Sequence, residues 1–363
     1  MTACGPFTSE THVCDSTATK ADASSAVANY EFCPAGIARI CANDVDEAAE
    51  QIRDWQVELT QFERGPAQVN GIMIPLGSTL VGRGRCTKAV YTRGTAPRGS
   101  VTFLFKTVDL AGRAGVQVAE TDTCIVYGSG AELNNYSTND VLSIGVSISR
   151  PKWLELKRAS GLDLACDVGQ SQILTVSSQY SRSINTLLDE INADVEGLQD
   201  GAIASGRATA WESSVLATVV SMLGLPQQLE ASTRDRAGRY RAVRRAQEFI
   251  RDNLSEHLSL LQLCDASLAS ARTLEYGFRE LFGVSPLTYV RYERLGRVHR
   301  ELHRARRNEA SVTDVAMRWG FGHLGQFSKE YRGLFGECPS QTLCRERDGR
   351  TSVPVLGLSS RVP

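Results

Sequence analysis

Three kinds of residue pattern follow one another along the 363-residue chain. Small polar residues without periodicity come first, then short β-forming segments separated by glycines, and helical spacing begins after Pro151. We therefore expect an α+β protein with an antiparallel β-barrel or sandwich plus helices, followed by an all-helical C-terminal domain. The predicted boundaries are a disordered leader at 1–29, a β-rich domain at 30–150, a helical packing or dimerisation region at 151–226, a linker at 227–239, a helical domain at 240–347 and a disordered tail at 348–363.

Six segments have the β-branched and aromatic composition of strands. They are Gly71–Ile74, Ala89–Thr92, Val101–Lys106, Val116–Ala119, Thr123–Tyr127 and Val141–Ile148. Turn-forming residues lie between them, at Gly82–Arg85, Ala111–Arg113 and Gly128–Gly130. Strands this short and closely spaced indicate a small antiparallel barrel or sandwich.

Apolar residues at helical spacing predict helices in the same part of the chain. The acidic segment Asp44–Phe62 is expected to be a helix with Asp44 as its N-cap and Glu47 completing a capping box. From Ile173 to Leu198 an apolar residue recurs every three or four positions, which predicts a helix with one apolar face. That face packs on its own β domain or against the same helix of a second subunit, and we expect both contacts.

A further helix is predicted at Thr209–Leu223, before Pro226. Beyond the linker, two stretches repeat one plan, a short apolar helix, a tight turn and a longer helix with one apolar face. They cover Leu260–Gly283 and Val312–Gly336. The predicted buried positions are Leu274, Phe278 and Leu281 in the first longer helix and Phe327, Tyr331 and Leu334 in the second. Ser270 is placed to cap the first longer helix, and the two glycines to end the longer helices. This plan is typical of two helix-turn-helix units.

A connecting helix of about 19 residues, Pro286–Arg304, spans about 29 Å between the units. This length is close to the ~34 Å repeat of B-DNA, so the two longer helices could enter successive major grooves on one face of a duplex. Five arginines of this helix either touch backbone phosphates or are solvated, and we favour solvation. They are Arg291, Arg294, Arg297, Arg300 and Arg304.

Charge is distributed unevenly, and this supports a nucleic-acid partner. Residues 234–350 carry a net charge of +7, whereas the rest of the chain carries −8. A basic region joined to an acidic one is the usual charge distribution of a phosphate-binding domain attached to a domain that does not bind phosphate. No apolar run is long enough to cross a membrane and no signal peptide is recognised, so we expect a cytoplasmic protein without membrane contact.

The ten cysteines are scattered without zinc-finger spacing, so reduced and mostly buried thiols are expected, with a redox pair of Cys33 and Cys41 as an alternative. The β-rich stretch contains no histidine, which argues against a metal-dependent barrel oxygenase. His299 and His303 lack the glutamate of a metalloprotease motif and are expected to be exposed or close to phosphate. We therefore predict a protein that is not an enzyme and has no metal or cofactor.

The two units and their spacer together resemble the AraC/XylS family of transcription regulators. The resemblance covers about 100 residues and is carried by Gly320-Phe321, Phe327, Tyr331, Leu334-Phe335-Gly336 and Pro339-Ser340, and by Phe278–Pro286 in the first unit. Three departures occur in this region. Cys264 replaces a small alanine, Cys338 replaces a serine or threonine, and the turn Ser267–Ala269 lacks the common glycine.

The resemblance implies that the exposed faces of the two longer helices read DNA bases at a promoter operator. The residues it assigns are Arg272, Glu275, Tyr276 and Arg279 in the first helix and His323, Gln326, Lys329 and Arg332 in the second. Arginine pairs with guanine, glutamine with adenine and glutamate with cytosine. For Glu275, a plain ion pair with Arg279 along the helix is an equally good interpretation.

The resemblance also implies that the N-terminal domain senses a small-molecule inducer and that the protein is a homodimer working with RNA polymerase, most often as an activator. The N-terminal region is similar to regulators of ethanolamine utilisation, but the sequence does not identify the inducer. A DNA-binding protein or adaptor that senses nothing is the alternative, and it predicts no ligand-dependent change in DNA binding.

Overall fold

The computed structural model describes residues 37–52, 55–108, 121–138, 141–161, 169–196, 205–224, 234–305 and 310–344. The predicted leader and tail, the strand at Val116–Ala119 and Cys33 lie outside these residues. Ten strands and eleven helices are described, and the antiparallel sheets and helices of the N-terminal part precede an all-helical C-terminal domain, as predicted.

The strands form two antiparallel sheets. The large sheet has the order β1-β3-β4-β9-β6-β7-β10 and the small sheet the order β2-β5-β8. The strands are β1 Ala38–Ala42, β2 Gln56–Gln61, β3 Val69–Leu76, β4 Thr79–Cys86, β5 Val90–Thr95, β6 Ser100–Val108, β7 Thr121–Tyr127, β8 Glu132–Ser137, β9 Val141–Ser149 and β10 Ser171–Ser177.

Four helices belong to this N-terminal part, namely α1 Val45–Gln51, α2 Arg150–Ser160, α3 Ser178–Glu196 and α4 Ser205–Leu223. Three of them, α2, α3 and α4, cover one face of the large sheet. Their side chains, including Trp153, Ile184 and Val215, share one apolar core with strand residues such as Phe103 and Ile144. This core is the largest apolar cluster in the described part of the chain.

Two helix predictions in this region are partly wrong. Asp44 is the N-cap and accepts from the Glu47 amide, as predicted, but α1 stops at Gln51 and the chain continues as strand β2 instead of reaching Phe62. The apolar positions after Ile173 begin as strand β10, which pairs with β7, and become helix α3 only at Ser178. The first apolar positions of this segment also satisfy the alternation of a strand, and pairing with β7 decides for the strand.

The glycine-rich segment Gly82–Arg85, predicted as a turn, lies in the middle of β4 between β3 and β9. Gly82 stands opposite Gly145 of β9, so the missing side chains leave space on one face of the large sheet. The turn predicted at Gly128–Gly130 is confirmed, with Gly130 at a φ of 67°.

That space is part of a cavity of about 210 Å³ between the two sheets. Its lining is mostly apolar and includes Ile52, Trp55, Leu59, Met73 and Leu104.

No helix of the described residues is long and apolar enough to cross a membrane.

The C-terminal domain contains seven helices of the described chain. They are α5 Arg234–Asp252, α6 Leu260–Ser267, α7 Ala271–Phe282, α8 Pro286–Arg304, α9 Val312–Arg318, α10 Leu324–Phe335 and α11 Pro339–Cys344. Helix α5 has no counterpart in the predictions and begins at Arg234, inside the segment that was predicted as a linker.

Among the described cysteines Cys124 is buried, but Cys41 and Cys344 are exposed, so the expectation of mostly buried thiols is wrong here.

Candidate nucleic-acid interface

The first helix-turn-helix unit is formed by α6 and α7. Ser259 and Gln262 make a complete capping box at the start of α6, and the Ser270 hydroxyl accepts from the Thr273 amide at the start of α7. Gly283 ends α7 in the left-handed conformation at a φ of 70°. Local hydrogen bonds thus set both ends of α7, as predicted from its Ser and Gly residues.

The turn of this unit contains no glycine, and Leu268 takes the left-handed conformation instead, at a φ of 54°. It is the single non-glycine residue with a positive φ among the described residues. This conformation costs a residue with a side chain roughly 1–2 kcal/mol. The departure noted in the sequence therefore strains the backbone but does not change the plan of the unit.

The second unit is formed by α9 and α10, with Gly320 in their turn and Gly336 at the end of α10. Phe327, Tyr331 and Leu334 are buried as predicted. The Tyr331 hydroxyl makes a 2.7 Å hydrogen bond with Thr342 of α11, so the last helix holds α10 in place.

Helix α8 connects the units and has the predicted bounds, Pro286 to Arg304. Its first half contributes Tyr289 and Val290 to the core of the first unit, and its second half contributes Leu295 and Val298 to the core of the second. Because one rigid helix belongs to both cores, the placement of α7 relative to α10 is set by side-chain packing.

The eight predicted base-reading residues all lie on α7, on α10 or at the cap of α10. Seven of them are exposed, and Glu275 is half-buried. Glu275 forms the i, i+4 ion pair with Arg279 at 3.1 Å. The guanidinium of Arg272 lies over the ring of Tyr276, 5.4 Å from its centroid.

The second predicted reading face has an internal charge network. Gln326 donates to Glu330 at 2.5 Å, and Arg291 of α8 pairs with the same carboxylate at 3.0 Å. His323, Gln326 and Lys329 line one groove together with Arg291, and with Arg64 from the loop after β2. Sequence reasoning missed Arg64, because nothing local to that loop shows that it meets α10.

For Arg294, Arg297 and Arg300 neither interpretation is correct, because acceptors within the protein bind them, whereas Arg304 is exposed, as the favoured interpretation predicts. Arg294 donates to the carbonyl oxygens of Leu254 and Glu256. Arg297 pairs with Glu58 at 3.3 Å, and Arg304 lies 3.8 Å from a carboxylate oxygen of Glu50. Arg300 is buried and donates to Asp46 at 2.9 Å and to the Leu59 carbonyl at 3.1 Å.

The expectation of an exposed or phosphate-proximal His299 is also wrong. The side chain is 1% exposed, and its Nδ1 donates to the second oxygen of Asp46 at 2.7 Å. Burial by itself would raise the pKa of Asp46, but the hydrogen bond from His299 and the charge of Arg300 outweigh it, so that pKa is lowered. Asp46 therefore carries its charge in the interface between the domains at neutral pH.

Residues 263–345 match the family model described as "Helix-turn-helix domain". The "XylDLEGF operon transcriptional activator 3" of Pseudomonas putida is 38% identical over 116 residues, 31% of this chain and 35% of that protein. The "XylDLEGF operon transcriptional activator 2" of the same organism is 40% identical over 99 residues, 27% of this chain and 63% of that protein.

Through its C-terminal domain, this chain belongs to the AraC/XylS family of transcription regulators. This is a non-enzymatic family that binds DNA through helix-turn-helix units. The matches cover about a third to under two thirds of the length of these curated relatives.

Solved structures also resemble this AraC/XylS-family chain. A probable AraC family transcriptional regulator from Rhodopseudomonas palustris covers 28% of the chain and 94% of its own length, with 33% identity and a TM-score of 0.26. The AraC-like transcriptional activator CuxR covers 71% of the chain and 93% of its own length, with 18% identity and a TM-score of 0.29.

Proposed function

We propose that this regulator recognises a specific operator by placing α7 and α10 in successive major grooves of one duplex. The observation that carries the proposal is that the predicted reading residues lie on two packed helices, each ended by a left-handed glycine, and that one helix, α8, joins them. Exposed arginine, glutamine and lysine side chains on such helices supply the donors that base edges and phosphates accept.

The proposal is tested by selecting duplexes from a randomised pool with the full chain and measuring the affinity of the selected sequence. We expect two conserved half-sites about one helical turn apart, 10–10.5 base pairs from centre to centre. A single half-site, or no enrichment at all, would contradict the use of two reading helices.

We also propose that a small apolar molecule binds in the cavity between the sheets and regulates DNA binding, as expected of a ligand-responsive activator. The cavity of about 210 Å³ and its apolar lining favour this interpretation over a protein that senses nothing. A thermal-stability screen of the full chain against a panel of small metabolites tests it, since a ligand that binds the native state raises the melting temperature. If no metabolite shifts it, the non-sensing alternative is favoured.

A homodimer that contacts RNA polymerase remains part of the proposal. The apolar positions of α3 are buried inside the domain, with Ile184, Ile191 and Val195 in the core of the large sheet. A second subunit would therefore bind a surface other than these positions. Sedimentation of the full chain at tens of micromolar tests the dimer, and a monomeric mass would count against it.

A further inference from the structure

The small sheet has two faces with different neighbours. Because side chains alternate along a strand, one set on β2, β5 and β8 faces the cavity. The described cavity-facing residues are Val57, Leu59, Val90, Thr92, Leu133, Asn135 and Ser137. The residues between them point the other way, toward the DNA-binding domain.

Contacts from the outer face reach the helices of the DNA-binding domain directly. Glu58 of β2 binds Arg297 and Arg300 of α8. The Tyr91 ring of β5 lies edge-on to Phe282 at 5.6 Å, and Glu132 of β8 binds Arg244 of α5 at 3.0 Å. All three strands of the sheet therefore touch this domain.

Helix α1 has the same two-sided arrangement. Ile52, the C-cap residue of α1, lines the cavity, while Asp46 binds His299 and Arg300 of α8. A molecule in the cavity would thus be separated from α8 by one layer of backbone, formed by α1 and the small sheet.

The docked N-terminal domain also holds both helix-turn-helix units. The Phe62 ring stacks on Tyr289 in the core of the first unit, with a centroid distance of 4.9 Å. Gln61, next to it, donates to the carbonyl of Leu334 at the end of α10, at 2.8 Å. Two adjacent residues thereby fix one unit each, and the predicted reading residues remain outside this contact.

We propose that the small sheet transmits occupancy of the cavity to the DNA-binding domain, and that an apolar occupant stabilises the docked arrangement and tightens DNA binding. This inference rests on the proposed function. An occupant makes van der Waals contacts with cavity-facing side chains that otherwise lack them. These contacts restrict the motion of the small sheet, which contacts α8 on its other face. A stiffer support holds the two units in one placement and lowers the ordering cost of binding two grooves.

Filling the cavity with the substitution Gly145→Leu tests the inference without knowledge of the inducer. A Cβ added at Gly145 meets nothing within 4 Å, and this residue lines the cavity on the large-sheet side, away from α8. Gly206 at the start of α4 is likewise open and lies outside the cavity lining, so Gly206→Leu is the matched control. Gly145→Val is a smaller second variant, and thermal unfolding verifies that each variant folds.

Two readouts separate the inference from the proposed function. Hydrogen exchange of the α8 amides, without DNA, reports docking. We expect exchange to slow in Gly145→Leu and not in Gly206→Leu. Affinity for a duplex selected by the unaltered chain reports function, and we expect it to rise about fivefold, the lower end of coupling between linked sites.

Removing a contact between the N-terminal domain and α8 completes the test. Combined with Phe62→Ala, the Gly145→Leu substitution should no longer tighten DNA binding, because the N-terminal domain then loses its ring contact with Tyr289 of α8. The inference is overturned if both Gly145 variants fold but their α8 amide exchange and their DNA affinity match those of the Gly206→Leu control. It is also overturned if their DNA affinity falls. If the unaltered chain selects no sequence, the proposed function fails, while the exchange result still decides whether the cavity and α8 are coupled.

Discussion

The Nδ1 atom of His299 lies 2.7 Å from a carboxylate oxygen of Asp46, although 253 residues separate them in sequence. Arg300 binds the other oxygen of the same carboxylate, so α8 holds Asp46 by two adjacent side chains. Removing one partner of a buried ion pair leaves the remaining charge uncompensated. We expect Asp46→Ala to lower the free energy of unfolding by about 3–5 kcal/mol, measured by urea denaturation at neutral pH.

The control for this substitution is Glu50→Ala, on the same helix. Glu50 pairs with Arg304 at 3.8 Å, and both side chains are largely exposed. Exposed pairs contribute about 0–1 kcal/mol, so this variant should be close to the unaltered chain. Equal losses of unfolding free energy for the two variants would show that the buried Asp46 contact stabilises the protein no more than an exposed ion pair does.

Glu293 of α8 makes the stability of the docked protein dependent on pH. Burial raises the pKa of this carboxyl, although the hydrogen bond from Tyr289 and nearby arginines act against the rise. Between the unfolded pKa of about 4.3 and the raised folded pKa, the native state binds more protons than the unfolded state. Stability from this group is therefore complete below the unfolded pKa and lost as pH rises through the folded one.

Glu293→Gln keeps an acceptor for the Tyr289 hydroxyl but cannot ionise. We expect its stability relative to the unaltered chain to improve as the pH is raised from about 5 to about 8 in urea titrations. Glu248→Gln, at an exposed carboxylate of α5, is the control and should show a constant difference. A Glu293→Gln difference that stays constant with pH would contradict a raised pKa at this buried carboxyl.

Gln326 is the sharpest test of base reading, since glutamine pairs with adenine through two hydrogen bonds. We expect Gln326→Ala to relax the preference at one base pair and to cost about 1–3 kcal/mol of binding free energy there. Competition binding with duplexes altered at each position measures this. Gln179→Ala, on an exposed position of α3, serves as the control. Uniform weakening on all duplexes would refute base reading by Gln326.

Arg64 lies in the N-terminal domain but lines the groove that contains His323, Gln326 and Lys329. We predict that it contacts a phosphate, so Arg64→Ala should weaken binding to all duplexes alike and reduce the salt dependence of log K by about 1. Arg98→Ala removes another exposed arginine of the same domain, outside this groove, and should leave the salt dependence unchanged. Identical salt slopes for both variants would place Arg64 away from the DNA.

Leu268 tests the strained turn of the first unit, because it has a φ of 54° and is 81% exposed. Glycine adopts this conformation without steric cost, so we expect Leu268→Gly to raise the free energy of unfolding by up to about 1 kcal/mol. Leu261→Gly, at an exposed position of α6, should lower it by about 1 kcal/mol. A loss in both variants would indicate that the Leu268 side chain itself contributes to stability.

The sequence alone determined the two helix-turn-helix units of the DNA-binding domain and the helix that joins them, but not α5. Pro286–Arg304 was predicted with its final bounds, and the caps at Ser270 and Gly283 form as expected. These features depend on residues within about four positions of one another, through capping bonds and the apolar spacing of a helix. Local chemistry is therefore enough to predict them.

Tertiary structure decided which partners the polar residues of those helices have. The sequence showed that Arg297 and Arg300 are cations on a helix, but Glu58 and Asp46, more than 200 positions away, determine that they serve docking instead of facing solvent. Likewise, pairing with β3 and β9 makes a strand of Gly82–Arg85, and pairing with β7 makes a strand of the segment after Ile173. Residue spacing indicates which face of an element is apolar or charged. The residues that cover that face come from distant parts of the chain, and only tertiary packing brings the two together.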